Sequence, residues 1–267
     1  MKNKKLMATS FFLLGLLFNF GYDTRAQATS QINLNQEELE KYLRTAKIIS
    51  VQKNEQTGRT SLWRIQLDNG QLKLRGYFKH LNRHRPSFLA DSYQYEIAAY
   101  ELSKLLDLEI IPPVVEREIE GITGSLQLFM EDCIRESERK RRNIEPPDPE
   151  GFKNKLEVIN VFENLVFEEE CFDADDTLIH LKDWKVCRVD FSMAFSPTPA
   201  LIPGCTISRC SRHLYLKLLQ LDDSQVKDKL GAYLSDDEME ALLKRKEIIL
   251  AKIEQLIKEK GEEAVLF

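Results

Sequence analysis

Residues 168–195 read EEECFDADDTLIHLKDWKVCRVDFSMAF. The stretch opens with six carboxylates in nine residues: Glu168, Glu169, Glu170, Asp173, Asp175 and Asp176. Two runs of strand character follow, TLIHL and KVCRV, separated by Lys182-Asp183-Trp184. Short β-rich runs around a brief polar break predict a β-hairpin, with its turn near Asp183. The second run ends at Asp190, followed by Phe191 and Ser192.

Upstream, Asn35 has the chemistry of an N-cap for a helix EELEKYLRTA, with acids in its first turn. KIISVQ, SLWRIQL and QLKLRGYFKHL read as three short antiparallel strands. Their turns fall at Gln56–Thr60, which contains Gly58, and at Asp68-Asn69-Gly70. Lys79 closes the third strand. Asp91 or Ser92 then caps a helix to about Leu106, with Tyr95, Ala98, Ala99, Leu102, Leu105 and Leu106 on one apolar face and Glu96 beside it. Ile111-Pro112-Pro113 ends that region. VVERE and SLQLFM flank a turn expected at Gly121–Gly124, and Glu131 and Asp132 are expected to mark a hinge.

The charged, proline-containing stretch 135–150 reads as a linker or loop. Its basic run RESERKRR is a solvated helix or loop by composition, or else a contact for phosphate or anionic lipid. Helix is expected from Lys153 to Phe167, with Leu156, Ile159, Val161, Phe162, Leu165 and Val166 in the core. After irregular chain around Pro197, Pro199 and Pro203, three more helices follow. HLYLKLLQL has Leu214, Leu216, Leu218 and Leu219 to bury, and DSQVKDKLGAYL is the second. The third opens with a Ser235/Glu238 capping box and runs toward Lys260. A strand-rich first half and a helical second half predict an α+β, two-lobed protein, with lobes at 29–132 and 133–267.

The 267 residues are 43% hydrophobic and 30% charged, the composition of a folded protein. Lys2, Lys4 and Lys5 precede an apolar run from Leu6 to Phe20, and Ala26-Gln27-Ala28 supplies small residues at a cleavage site. This pattern predicts a signal peptide over 1–28 and an exported protein, periplasmic or secreted, with no transmembrane segment after cleavage. An uncleaved membrane anchor is the alternative. The formal charge of −5 becomes more negative once those basic residues are removed, which argues against nucleic acid as a partner. Disulfides are permitted among Cys133, Cys171, Cys187, Cys205 and Cys210, an odd set that leaves at least one thiol. Cys205 and Cys210 are near enough to bridge, but spacing does not fix the connectivity. No CxxC pair or histidine cluster points to zinc.

The chain resembles a bacterial family of atypical kinase-like proteins, related at fold level to the HipA, phosphoinositide-kinase and secreted four-jointed kinases. The resemblance spans about residues 35–267. It is carried by AKII at Ala46, Phe78-Lys79, DSYQYEIAAYELSKLLDLEIIPPVVER at 91–117, GSLQ at Gly124, DWKVCRVDFSMAF at 183–195, SRCSR around Cys210 and the closing GEEAVLF. It implies a bilobal kinase-like fold that uses ATP with Mg²⁺ or Mn²⁺. Lys79, paired to Glu96, would meet the nucleotide phosphates, Gly58 would lie in the covering turn, and Asp190 would hold metal.

The loop departs from the family pattern, which has an Asp and, five residues on, an Asn. Phe172 and Thr177 stand at those positions. Asp173 is the acid nearest the catalytic place, with Leu178 five residues after it, and Asp176 is the candidate for the second metal position. Calcium binding by the Asp-x-Asp-Asp run lacks the glycine and distal glutamate of an EF-hand loop. Three functions follow. The loop favours a pseudokinase, or a module that binds nucleotide or a partner. The others are an active phosphotransferase acting on an unnamed protein or small molecule, and an interaction domain without nucleotide, in which Lys79 would pair with no acid.

Overall fold

The computed structural model describes residues 34–53, 62–83, 90–169 and 171–267. The expected leader at 1–28 and the Gly58 turn lie outside them. Helix α1 (Gln36–Thr45) starts as expected, because the Asn35 side chain accepts the Glu38 N–H and Glu38 accepts the Asn35 N–H. Strands β1 (Lys47–Lys53), β2 (Leu62–Asp68) and β3 (Lys73–Lys79) pair antiparallel in sequence order. Between β2 and β3, Asp68 accepts the Gly70 N–H at 2.7 Å and Asn69 accepts from Leu72 at 2.8 Å. These Asx contacts fix the turn from its own side chains.

A two-residue ladder, β4 (Asn82–Arg83) with β5 (Asp91–Ser92), leads into helix α2 (Tyr93–Leu105), which is capped by Ser92. The expected single apolar face of α2 is too narrow. Every residue from Tyr93 to Ser103 except Gln94 is buried. The helix runs between the sheet and the helical part of the chain, packing on β6 (Val114–Ile119), β7 (Ile122–Leu128) and, farther on, helix α6 (Asp223–Leu230). β6 and β7 join through Glu120-Gly121, both at positive φ (53° and 77°), as a two-residue hairpin of this handedness requires. The turn is thus shorter than expected, and Ile122, Thr123 and Gly124 belong to the strand. Among the described residues the sheet order is β1-β2-β3-β7-β6, with Lys79 opposite Ser125.

The stretch expected as linker is partly ordered. β8 (Cys133–Arg135) adds a third strand to the predicted hairpin, β9 (Thr177–His180) with β10 (Lys185–Arg188). Helix α3 (Glu136–Arg141) follows, its buried Glu136 clasped by Arg139 at 2.6 Å. Strand pairing and this ion pair override the local composition. Helix α4 (Pro149–Val166) begins four residues before the expected Lys153, since Asp148 caps it and proline is tolerated at a helix start. Helices α5 (Arg212–Gln220), α6 (Asp223–Leu230), α7 (Asp236–Lys260) and α8 (Glu262–Val265) complete the chain. In α5 only Leu214 and Leu218 are buried. Leu216 and Leu219 are about half exposed, because the helix has a single covered face.

The architecture is the expected mixed α+β, with an N-terminal antiparallel sheet and C-terminal helices. The disulfide joins Cys171 to Cys205, so the candidate Cys205–Cys210 pairing is not formed. Cys210 is instead a buried thiol whose backbone bridges to the chain end, through Cys210 N–H to Val265 and Phe267 N–H to Cys210. No helix among the described residues is long and apolar enough to cross a membrane.

Gly124 sits where β7 passes closest to β3. A Cβ there would overlap the Lys79 carbonyl oxygen and meet the Phe78 ring at 2.7 Å. Gly124→Ala is expected to cost about 2 kcal/mol or more in urea unfolding, a typical overpacking penalty, whereas Thr123→Ala next to it stays within about 0.5 kcal/mol.

Candidate functional site

Strand alternation sends Phe78 into the buried layer and Lys79 to the opposite face, toward α2. Two backbone bonds fix the start of that helix. The Tyr93 N–H donates to Leu81 and the Ser92 N–H to Ser192, each at 2.8 Å. The second ties α2 to the segment just after Asp190. One turn in, Glu96 meets Lys79. The Lys79 ammonium donates both to Glu96 and to Asp190, the latter at 2.6 Å.

Exposure rises along this line of charges. The side chain of Glu96 is 3% exposed, that of Lys79 14% and that of Asp190 43%. Burial disfavours the Lys79 charge, but Asp190 and Glu96 outweigh it and hold the ammonium above the usual lysine range. Burial likewise opposes ionisation of Asp190. Lys79 and the Ser192 hydroxyl, 3.1 Å away, more than offset that and bring it down to about 2. Asp190 adopts φ 65°, an uncommon conformation for a residue with a Cβ and one that tends to mark functional positions. Packing holds it there. Phe191 is fully buried edge-on to Phe162, and Phe195 lies against Tyr95 of α2.

The acidic loop is organised by a pair not singled out from the sequence. Arg188, at the end of β10, and Glu163 on α4 have fully buried side chains, joined at 2.6 Å. The other Glu163 oxygen accepts the Phe172 N–H at 3.1 Å, and the Arg188 guanidinium also lies 3.4 Å from Asp176. The available signal was a charge at helical spacing among Ile159, Phe162 and Val166, and an inward-facing arginine in KVCRV. Asp176 is further fixed by the Val189 N–H on its carbonyl, at 3.0 Å. Its carboxyl is pushed up to about 6 by burial and by Asp190 and Asp173, with Arg188 opposing.

Lys79, Glu96 and Asp190 are therefore in direct contact, and Asp176 is close enough to Asp190 to feel its charge. Asp173 is turned to local work. Its carboxylate accepts the Asp175 N–H at 2.7 Å and its carbonyl accepts the Thr177 hydroxyl at 3.0 Å. No group of three or more His, Cys, Asp or Glu among the described residues is arranged to hold a metal by itself. Two carboxylates, Asp190 and Asp176, are the complement Mg²⁺ takes when phosphates and water supply the remaining oxygens.

Two stability predictions follow from this charge arrangement. Asp176 binds its proton more tightly folded than unfolded, so the protein loses stability as pH rises from 3.8 to about 6. Asp176→Asn removes that slope and is expected to stabilise the metal-free protein at pH 8 by about 2 kcal/mol in urea titrations. Arg188→Met strands Glu163 without its countercharge and is expected to cost about 3–5 kcal/mol. Adding Glu163→Leu to it restores most of that loss; a double variant as unstable as the single one would refute the account.

No protein-family model matches the sequence, and no curated protein matches it either. Solved structures do. The crystal structure of a Helicobacter pylori proinflammatory kinase, CtkA, superposes with a TM-score of 0.52 at 9% identity, over 83% of this chain and 98% of that one. The complete CtTel1 dimer with C2 symmetry gives a TM-score of 0.46 at 12% identity, over 88% of this chain and 13% of that one. The likeness to the CtkA structure lies in the fold, and the fold of this chain is kinase-like.

Proposed function

We propose that this chain binds a nucleoside triphosphate with Mg²⁺ or Mn²⁺, ATP being the expected nucleotide, and that it is a kinase-like protein with a degenerate catalytic loop. The observation that carries the reading is the double pairing of Lys79 with Glu96 and Asp190. A domain that never met phosphate would gain little from a buried ammonium held at the base of an open carboxylate. In this reading Lys79, steadied by Glu96, binds phosphate oxygens, and Asp190 and Asp176 hold the cation. That cation would neutralise phosphate charge. In this reading the nucleotide occupies a cleft between the lobes expected at 29–132 and 133–267, with Glu131 and Asp132 at the expected hinge. The partner, or the acceptor in an active enzyme, would be a protein or small molecule rather than nucleic acid.

The pseudokinase form is favoured by the loop. Phe172 and Thr177 replace the expected Asp and Asn, and the Asp173 carboxylate is already engaged by Asp175. Active phosphotransfer is the second reading, in which Asp173 leaves that turn to orient an acceptor hydroxyl. The adjacency of Asp176 and Asp190 favours it, because two cation-holding carboxylates survive beside the changed loop. Export belongs to the same proposal, supported by the Lys2–Phe20 pattern and by a disulfide, a bond typical of oxidising compartments.

Thermal melting with ATP, with and without Mg²⁺ or Mn²⁺, tests the site. A metal-dependent rise of about 5 °C is expected when ATP is near a hundred times its Kd. Asp190→Asn, which keeps the Lys79–Glu96 pair, is expected to abolish the rise. No shift with millimolar ATP and metal would sink the proposal. Incubation with ATP followed by intact-mass measurement separates the two forms, since only an active enzyme adds a phosphoryl group to itself or to an acceptor.

A further inference from the structure

The acidic loop is held in two halves by different means. Its second half is fastened several times over. The Ser137 N–H donates to Ala174 at 3.0 Å, the Ser137 hydroxyl meets Asp175, Arg188 reaches Asp176 at 3.4 Å, and the Val189 N–H caps the Asp176 carbonyl. Among the described residues its first half, Cys171 to Asp173, is tied outward by the bond from Phe172 N–H to Glu163, by the Thr177 hydroxyl of β9 on the Asp173 carbonyl at 3.0 Å, and by the disulfide from Cys171 to Cys205. The Phe172 side chain adds little, being 53% exposed, and its backbone stands at φ 59°.

The far end of the disulfide is rigid. Cys205 is buried, in a segment fastened by Asn164 to the Ile202 N–H, by Asn160 to the Thr206 carbonyl, and by the buried Arg245 to the carbonyls of Ser196 and Thr198. One covalent bond therefore connects a strained, half-exposed stretch to a fixed frame, two residues before Asp173.

We propose that Cys171–Cys205 is a redox-sensitive clamp that holds Phe172 and Asp173 against the acid cluster, and that a dithiol reductant opens it. The reductant thiolate attacks the sulfur of Cys171, the more exposed partner, and Cys205 leaves as a thiolate that takes up a proton. The reductant's second thiol then displaces Cys171, which is protonated in turn. Two electrons pass to the protein, and the reductant ends as its own disulfide. The remaining thiols do not compete. Burial pushes Cys187 and Cys210 up to about 12 and Cys133 up to about 11, so none supplies an attacking thiolate near neutral pH. Once open, Phe172 keeps its hydrogen bond to Glu163 and Asp173 keeps the Thr177 hydroxyl on its carbonyl, Cys171 loses its covalent tie, and the strain at Phe172 favours release of Cys171 and Phe172.

Hydrogen exchange on the full chain, oxidised and after dithiothreitol, is the test. Amides of 171–173 are expected to exchange at least about tenfold faster after reduction, with α4 and α7 unchanged, and re-oxidation should restore protection. Cys171→Ser/Cys205→Ser should exchange like the reduced protein in both conditions. Unchanged exchange at 171–173 would overturn the clamp, and so would loss of protection across the whole chain, which would make the bond a global staple. The ATP–metal melting shift forms a second arm, the only one that rests on the nucleotide reading. It should shrink on reduction if ordering this half-loop is part of binding. No shift in the oxidised protein would end the nucleotide reading and leave the exchange result standing.

Discussion

Placing a lysine and a glutamate in a protein interior costs several kcal/mol of lost hydration per ion before any attraction is counted. Lys79 and Glu96 persist because the sheet delivers one and α2 the other, and because Asp190 adds a second countercharge from the segment after β10. Much of the surrounding structure serves that meeting. The Ser92–Ser192 backbone bond sets the start of α2, Gly124 lets β7 approach the carbonyl of Lys79, and buried Phe191 fixes the turn that exposes Asp190. Two carboxylates share one ammonium, and Asp190 is the most exposed member of the triad.

The same excess appears one residue layer away. Arg188 is the cation that the acidic loop turns inward, and it is shared between Glu163 and Asp176. Its first duty is to Glu163, which has no exposure at all. Asp176 receives a longer contact and remains crowded enough for its carboxyl to rise toward neutrality. Carboxylates left short of positive charge lower stability, and such arrangements occur both at functional sites and in structural ion-pair networks. An added cation would relieve both Asp176 and Asp190 at once.

Much of this was legible in the sequence because it rests on local rules. Asn35 and Ser235 announce capping boxes, the DNG turn and the Lys182–Trp184 break announce hairpins, and the segment around Glu96 has helical spacing. What escaped depends on contacts distant along the chain. β8 is a strand only because β9 pairs with it, and α2 is buried nearly all round because it runs between two packed parts. The partnership of Glu163 with Arg188 crosses 25 residues, and no window of sequence displays it. Cys171–Cys205 spans 34 residues, while the nearer Cys205–Cys210 spacing pointed elsewhere.

The departure at Phe172 has a physical context that the sequence alone did not supply. Position 172 adopts a left-handed backbone, its N–H is used by Glu163 and its side chain faces solvent. The next residue, Asp173, has the needed chemistry, but its carboxylate closes a turn onto Asp175. A carboxylate that accepts a backbone N–H loses freedom to turn. In the proposed reading the loop keeps an acid but turns it onto its own backbone, with a covalent bond before it and Ser137 and Arg188 after it. The Cys171–Cys205 bond acts on the first flank alone, since Asp173 keeps its own contacts to the Asp175 N–H and the Thr177 hydroxyl when that flank is released.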